Sequence, residues 1–295
     1  MTEKKTIFSG ACTALITPFC DDEIDYKALK NLIEFQIKGG IDALLINGTT
    51  GESATLSEKE KQELISFTIH EVGGRVPIIA GTGSNSTQKA LHLSQFASDV
   101  GADAVLVVTP YYNKASAEGL ARHYETIANA IDVPMILYNV PSRTGVSIPL
   151  SVYDRLANHK NILAVKEASS SVSETAKLCA KCGDRLDIYS GNDDLILPTL
   201  SLGGKGVISV LSNILPREVG EICKLWFAGK PREASDLQLR LLPLINAIFS
   251  EVNPIPIKAL LSHLGGCKEE YRLPLCPMSE DKKKDLFEVY ENFKF

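Results

Sequence analysis

Long apolar runs are missing from this 295-residue chain: stretches such as Ala104 to Val108 fall far short of the roughly 18 consecutive apolar residues of a membrane helix, and no membrane span is expected. Cationic excess is missing too. With 31 Lys and Arg against 36 Asp and Glu, the net charge is −5. No overall positive field gathers polyanions, so nucleic acid is not an expected partner. The histidines His70, His92, His123, His159 and His263 are few and far apart, none beside an acidic partner at a strand end, and no metal site is expected. Phosphate-binding loops are lacking as well. Gly81-Thr82-Gly83-Ser84-Asn85 and Gly203-Gly204-Lys205-Gly206 do not have P-loop spacing and read as tight turns around strands. Seven cysteines are an odd number in a chain too large to need staples, which suits reduced thiols in a cytoplasm. Cys179 and Cys182 form a lone C-x-x-C on an amphipathic stretch and read as packing residues. At the start, Lys4-Lys5 and the segment Ile7 to Ile16 only faintly imitate an export signal. Ser9, Gly10, Cys12 and Thr13 dilute the apolar region and Pro18 follows it, so a cytoplasmic location is expected.

What is present is the composition of an ordinary globular chain, 44% hydrophobic and 23% charged. Short runs rich in apolar and β-branched residues recur at Cys12 to Thr17, Ala43 to Ile46, Pro77 to Ala80, Ala104 to Val108, Met135 to Tyr138, Ile162 to Val165, Leu186 to Tyr189 and Gly206 to Val210. Segments of helical periodicity separate them, such as Leu29, Leu32, Ile33, Phe35 and Ile37. The strand spacing suits crossover helices rather than hairpins, so the strands run parallel. Eight such units over residues 1–228 predict a (β/α)8 TIM barrel. The runner-up is an open doubly wound sheet. It would carry a glycine-rich fingerprint after its first strand, where this chain has Thr17-Pro18-Phe19-Cys20-Asp21-Asp22. After Gly229-Lys230-Pro231 the alternation stops. Helical stretches at Arg232 to Phe249, Ile255 to Leu264 and Ser279 to Phe293, the last with Ser279 as N-cap, predict a C-terminal helical domain over 229–295.

Active sites of such barrels lie at the C-terminal ends of the strands. After the second strand, Asn47-Gly48-Thr49-Thr50-Gly51-Glu52-Ser53 is either a nest of N–H groups for a carboxylate or a capped turn into a helix. The fourth and fifth ends give Thr109-Pro110-Tyr111-Tyr112-Asn113 and Tyr138-Asn139-Val140-Pro141-Ser142-Arg143-Thr144-Gly145. Tyrosine passes protons and arginine clamps carboxylates, although tyrosines also line barrel rims for structural reasons. Lys166 ends the sixth run. Desolvation there lowers an amine's pKa and readies it to form a Schiff base, unless the side chain snorkels to the rim or pairs with Glu167.

Taken together and in order, GTTGE, PYYN, YNVPSRTG and VKEAS, with the later segments Tyr189 to Asp194, Gly206 to Val210 and Asn253 to Lys258, resemble the dihydrodipicolinate synthase family of class I Schiff-base aldolases. N-acetylneuraminate lyase belongs to the same superfamily. The resemblance runs through nearly the whole chain and implies a lyase acting in the diaminopimelate route to lysine. By that resemblance Lys166 forms the imine with pyruvate. Tyr138 and Thr49 transfer protons, joined by Tyr112 from a neighbouring subunit. Thr50 holds the pyruvate carboxylate, Arg143 the carboxylate of L-aspartate 4-semialdehyde, and the Ile208 carbonyl lines the site. The implied assembly is a homotetramer, a dimer of dimers, or a homodimer.

That chemistry needs no cofactor and no metal: the imine is the electron sink, and the enamine formed from it adds to the aldehyde. Arg143 favours this reading over the sugar-acid lyases, which do not present the same arginine in this loop. A keto-acid sensor without turnover would not need the set Lys166, Tyr138, Thr49 and Tyr112. A pyridoxal phosphate enzyme would need a phosphate cradle that the sequence does not show. Members of the family inhibited by lysine bind it at a subunit interface. Ser53, Ala54, Asn85 and Tyr111 match that site, but Glu58, Lys61 and Lys89 stand where strongly inhibited members carry two histidines and a glutamate. Weak or absent inhibition by lysine is therefore expected.

Overall fold

The computed structural model describes residues 6–293, so the Lys4-Lys5 pair lies outside the described residues. Eight parallel strands close into a barrel in sequence order: β1 (Gly10–Ala14), β2 (Ala43–Ile46), β3 (Ile78–Gly81), β4 (Ala104–Val108), β5 (Met135–Asn139), β6 (Ile162–Glu167), β7 (Asp187–Ser190) and β8 (Gly206–Ser209), the last pairing with β1. Around them stand α1 (Tyr26–Lys38), α2 (Glu58–Val72), α3 (Thr87–Asp99), α4 (Ala117–Ala128), α5 (Leu150–Leu156), α6 (Val172–Cys182), α7 (Ile196–Ser201) and α8 (Pro216–Phe227). This is the expected (β/α)8 barrel. At the closing seam Gly206 has φ +151°, and a Cβ there would lie 1.8 Å from the Gly10 carbonyl oxygen, so the seam closes only without a side chain.

Alternation along the strands divides the apolar residues into two cores. Cys12, Leu45, Ile79, Leu106, Ile136, Ala164 and Ile208 fill the barrel, while Leu44, Ile46, Val105, Leu137 and Val165 point outward against the helices. Phe8, just ahead of β1, stacks on Tyr189 with centroids 4.2 Å apart and accepts its phenol hydrogen bond at 2.7 Å, packing the N-terminal side of the barrel. Serine caps start the helices after several strands. Ser57 forms a reciprocal capping box with Glu60, and Ser116 and Ser171 cap α4 and α6.

The C-terminal helices are α9 (Pro231–Ile248), α10 (Ile255–His263) and α11 (Glu280–Glu291). Helix α9 packs on α8, and α11 on α9 and α10. Ser279 occupies the N-cap position of α11 as expected, but its hydroxyl makes no capping bond; the helix start is carried instead by the Lys283 N–H donating to the Ser279 carbonyl at 3.0 Å. A short hairpin, Phe19–Cys20 with Glu23–Ile24, and a four-residue helical turn, Pro141–Thr144, are additions to the sequence reading. Among the described residues no helix is long and apolar enough to cross a membrane. Cys179 and Cys182 are free thiols on α6, the latter buried, in line with a packing role.

Candidate active site

Lys166 lies inside β6 rather than after it, because the strand runs on to Glu167. Alternation then sets the two charges on opposite faces. Ala164 and Ala168 face the barrel interior with Lys166 between them, whereas Val165 packs outward. Glu167 faces outward too: Asn139 Nδ2 donates to both its oxygens at 3.0 Å, Ser169 N–H at 2.7 Å and the Tyr153 hydroxyl at 3.3 Å. This excludes the reading in which Lys166 pairs with Glu167. Snorkelling is excluded as well, since Lys166 is only 6% exposed. No carboxylate lies within ion-pair distance of its amine among the described residues.

Tyr138 is the register partner of Lys166 on β5, and the Lys166 Nζ sits 4.5 Å from the centre of its ring. The space for the lysine stem comes from Gly191, where a Cβ would fall 3.2 Å from Lys166 Cε and 2.6 Å from the Ala168 Cβ. Two further groups feel the ammonium. Burial drives the Cys12 thiol far up and the Lys166 charge only partly opposes this, so the thiol stays protonated and is no rival nucleophile. Burial likewise raises the Asp193 carboxyl, against the pull of Ser209, the N–H groups of Leu211 and Val210 at 3.1 and 3.0 Å, and Lys166. Ile208, wholly buried on β8, belongs to the same interior cluster.

A cavity of about 650 Å³ has Thr49, Val140, Arg143 and Asn253 among its walls, whereas Lys166, Tyr138 and Ile208 are not among the residues that line it. Thr50 is buried beside it and its hydroxyl accepts from Asn253 Nδ2 at 3.0 Å, leaving the Thr50 O–H free to donate. Arg143, on the turn after β5, gives one N–H to the Asn253 carbonyl at 3.2 Å and keeps the rest of its fork for a ligand. Tyr112 is different: at φ +72° it stands 90% exposed, so within one chain it is not part of the group around Lys166. The same cavity is also lined by Ser53, Ala54, Glu58, Lys61, Asn85, Lys89 and Tyr111. Burial holds the Lys61 ammonium below the ordinary lysine range; Glu58 opposes this and the Lys89 charge adds to it.

One feature has no counterpart in the sequence reading. Glu52 and Lys258 form a fully buried ion pair at 2.6 Å beneath the Thr49–Thr50 turn. The signal was a single lysine inside the apolar helical run Ile255 to Leu261.

The closed parallel barrel, with a buried lysine near the end of its sixth strand, has the architecture of a barrel enzyme, and its relatives place it in the lyase class, among the Schiff-base aldolases. The match of the dihydrodipicolinate synthetase family to residues 7–292 is then decisive, and the chain belongs to that family. A 4-hydroxy-tetrahydrodipicolinate synthase of Clostridium perfringens is 50% identical over 288 residues, covering 98% of each chain. The solved dihydrodipicolinate synthase of Aquifex aeolicus superposes with a TM-score of 0.95 at 44% identity, over 97% of this chain and 98% of its own. A solved monomeric dihydrodipicolinate synthase variant does so with a TM-score of 0.95 at 40% identity, over 97% and 96%. The activity of this chain is that of a 4-hydroxy-tetrahydrodipicolinate synthase.

Proposed function

We propose that the chain condenses pyruvate, held as an imine on Lys166, with L-aspartate 4-semialdehyde on the diaminopimelate route to lysine. The observation that carries this reading is the shielded amine of Lys166, 6% exposed, over the Tyr138 ring and separated from Glu167 by the strand itself. The amine adds to the pyruvate ketone and water leaves, giving the imine. A methyl proton departs, the enamine carbon attacks the aldehyde of the second substrate, and the new alkoxide takes up a proton. The substrate's own amine then attacks the imine carbon, closing the ring and releasing Lys166. Tyr138 and Thr49 carry the protons, with Tyr112 of a neighbouring copy completing the relay. Thr50 offers its N–H and free hydroxyl hydrogen to the pyruvate carboxylate, Arg143 its fork to the carboxylate of the semialdehyde, and the Ile208 carbonyl closes the wall.

In this reading residues 1–228 form the catalytic barrel and 229–295 a helical domain, the enzyme works in the cytoplasm, and it assembles as a homodimer or a homotetramer. The near-total exposure of Tyr112 supports assembly, because a tyrosine held outward at positive φ has no role within its own chain. Light scattering under assay conditions tests this, and a fully active monomer contradicts it. For the chemistry, borohydride with pyruvate should label the peptide containing Lys166, and Lys166→Ala should abolish the label. A label on another lysine overturns the mechanism.

A further inference from the structure

Two lysines are buried among the described residues, and the reaction uses one. The other, Lys258 on α10, is sealed from solvent. Its Nζ lies 2.6 Å from Glu52 Oε1, 4.2 Å from the centre of the Phe19 ring and 5.3 Å from that of Tyr271. Burial lowers its pKa while Glu52 works against the loss of its charge. Stability alone does not account for such a pair, because a well-packed apolar pair of the same volume serves as well or better. Its placement does. Glu52 ends the turn that presents Thr49 and Thr50, with its own backbone at φ +53° and its N–H on the Thr49 carbonyl at 3.1 Å. A few residues before Lys258 in the chain, Asn253 bonds both the Thr50 hydroxyl and Arg143.

We propose that the Glu52–Lys258 pair is a positioning device: it anchors the Thr49–Glu52 turn to α10, so that the groups receiving the pyruvate carboxylate are set before the substrate arrives. The turn is also held by the Thr17 hydroxyl on the Gly51 carbonyl at 2.7 Å, by Asn253 on Thr50, and by the Arg272 N–H on the second Glu52 oxygen at 3.3 Å, but only the Lys258 contact is a buried ion pair, and it fixes the turn where an apolar contact would let it slide. This rests on the imine reading above. If borohydride fails to label the wild type with pyruvate, that reading fails. If the wild type is labelled and the variants below behave like it, only the present proposal fails.

The test compares Glu52→Gln, which keeps the shape and an acceptor for Lys258, with the charge-free pair Glu52→Gln/Lys258→Met, which leaves no charge stranded. The double variant should keep the thermal midpoint near that of the wild type, whereas Glu52→Gln alone, with the Lys258 charge left buried and unpaired, should lower it by several degrees. Both should raise the KM for pyruvate by roughly tenfold or more, the size of one charge-assisted hydrogen bond, with a smaller change in kcat. A wild-type KM for pyruvate in either folded variant overturns the proposal. So does failure of both to fold, since the pair is then a structural requirement and nothing more.

Discussion

Gly191→Ala places one methyl group against the stem of Lys166. The backbone does not forbid it, because Gly191 is not among the glycines held at positive φ. The space does. The new carbon would lie 2.6 Å from the Ala168 Cβ and 3.2 Å from both the Glu167 carbonyl oxygen and Lys166 Cε. Carbon atoms rest at about 3.5–4.0 Å, so a displacement on the order of 1 Å is required, and it falls on the strand that carries the amine. Overpacking of this kind costs about 1–3 kcal/mol, a loss of several degrees in the thermal midpoint for a chain of this size. Catalysis should suffer more, since a misplacement of about 1 Å at reacting atoms costs on the order of 10²-fold. Stopped borohydride trapping with pyruvate reads the imine-forming step, and calorimetry reads the fold. The double variant Ala168→Gly/Gly191→Ala removes the closest contact and should recover much of the rate. A single variant that traps pyruvate at the wild-type rate would refute the claim that Gly191 is there to make room for the Lys166 stem.

Tyr138→Phe keeps the ring over Lys166 and removes only the phenol. Its thermal midpoint should stay within a few degrees while activity falls by roughly 10²-fold or more, and near-normal turnover would take Tyr138 out of the proton relay. Arg143→Ala should raise the KM for aspartate semialdehyde by about tenfold or more and that for pyruvate far less; equal effects count against its assignment. Lysine should inhibit weakly or not at all, because Lys61 and Lys89 both line the cavity at positions where the resemblance places the inhibitor. Two cations about 4 Å apart repel by about 1 kcal/mol in water and by several times that at lower dielectric. An inhibition curve at saturating pyruvate checks this, and half-maximal inhibition below about 1 mM, equivalent to about 4 kcal/mol of binding, would refute it.

Much of this was legible because apolar runs and turns are local signals. Strands β2 and β4 begin and end where the sequence reading puts them, at Ala43–Ile46 and Ala104–Val108. Strand β1 does not: the run through Leu15, Ile16 and Thr17 is buried as expected, yet pairing stops at Ala14 and starts early at Gly10, because the seam partner Gly206 lies far along the chain. Strand β6 outlasts its apolar run for a related reason. The polar Lys166 and Glu167 pair with Tyr138 and Asn139, and a hydropathy pattern has no access to that register. The Glu52–Lys258 pair was illegible as a pair, its members being 206 positions apart in the sequence. Tyr112 gained a role only by resemblance, since what it would touch lies outside its own chain.

The opposite facing of Lys166 and Glu167 also bears on which length changes a gene for this barrel could tolerate. Losing or gaining one codon within β6 would exchange the two side chains, sending the carboxylate into the barrel and the amine out among Asn139, Ser169 and Tyr153. Losing or gaining two codons would restore the facing but carry the amine about 6–7 Å along the strand, away from Tyr138. On the imine reading neither a one-step nor a two-step change in length should leave a working enzyme, so tolerated insertions near β6 should fall at the exposed Ser170, between the Ser169 N–H that holds Glu167 and the Ser171 cap of α6. A library of short insertions scanned through 160–175 and selected for growth without lysine would map that boundary to the residue.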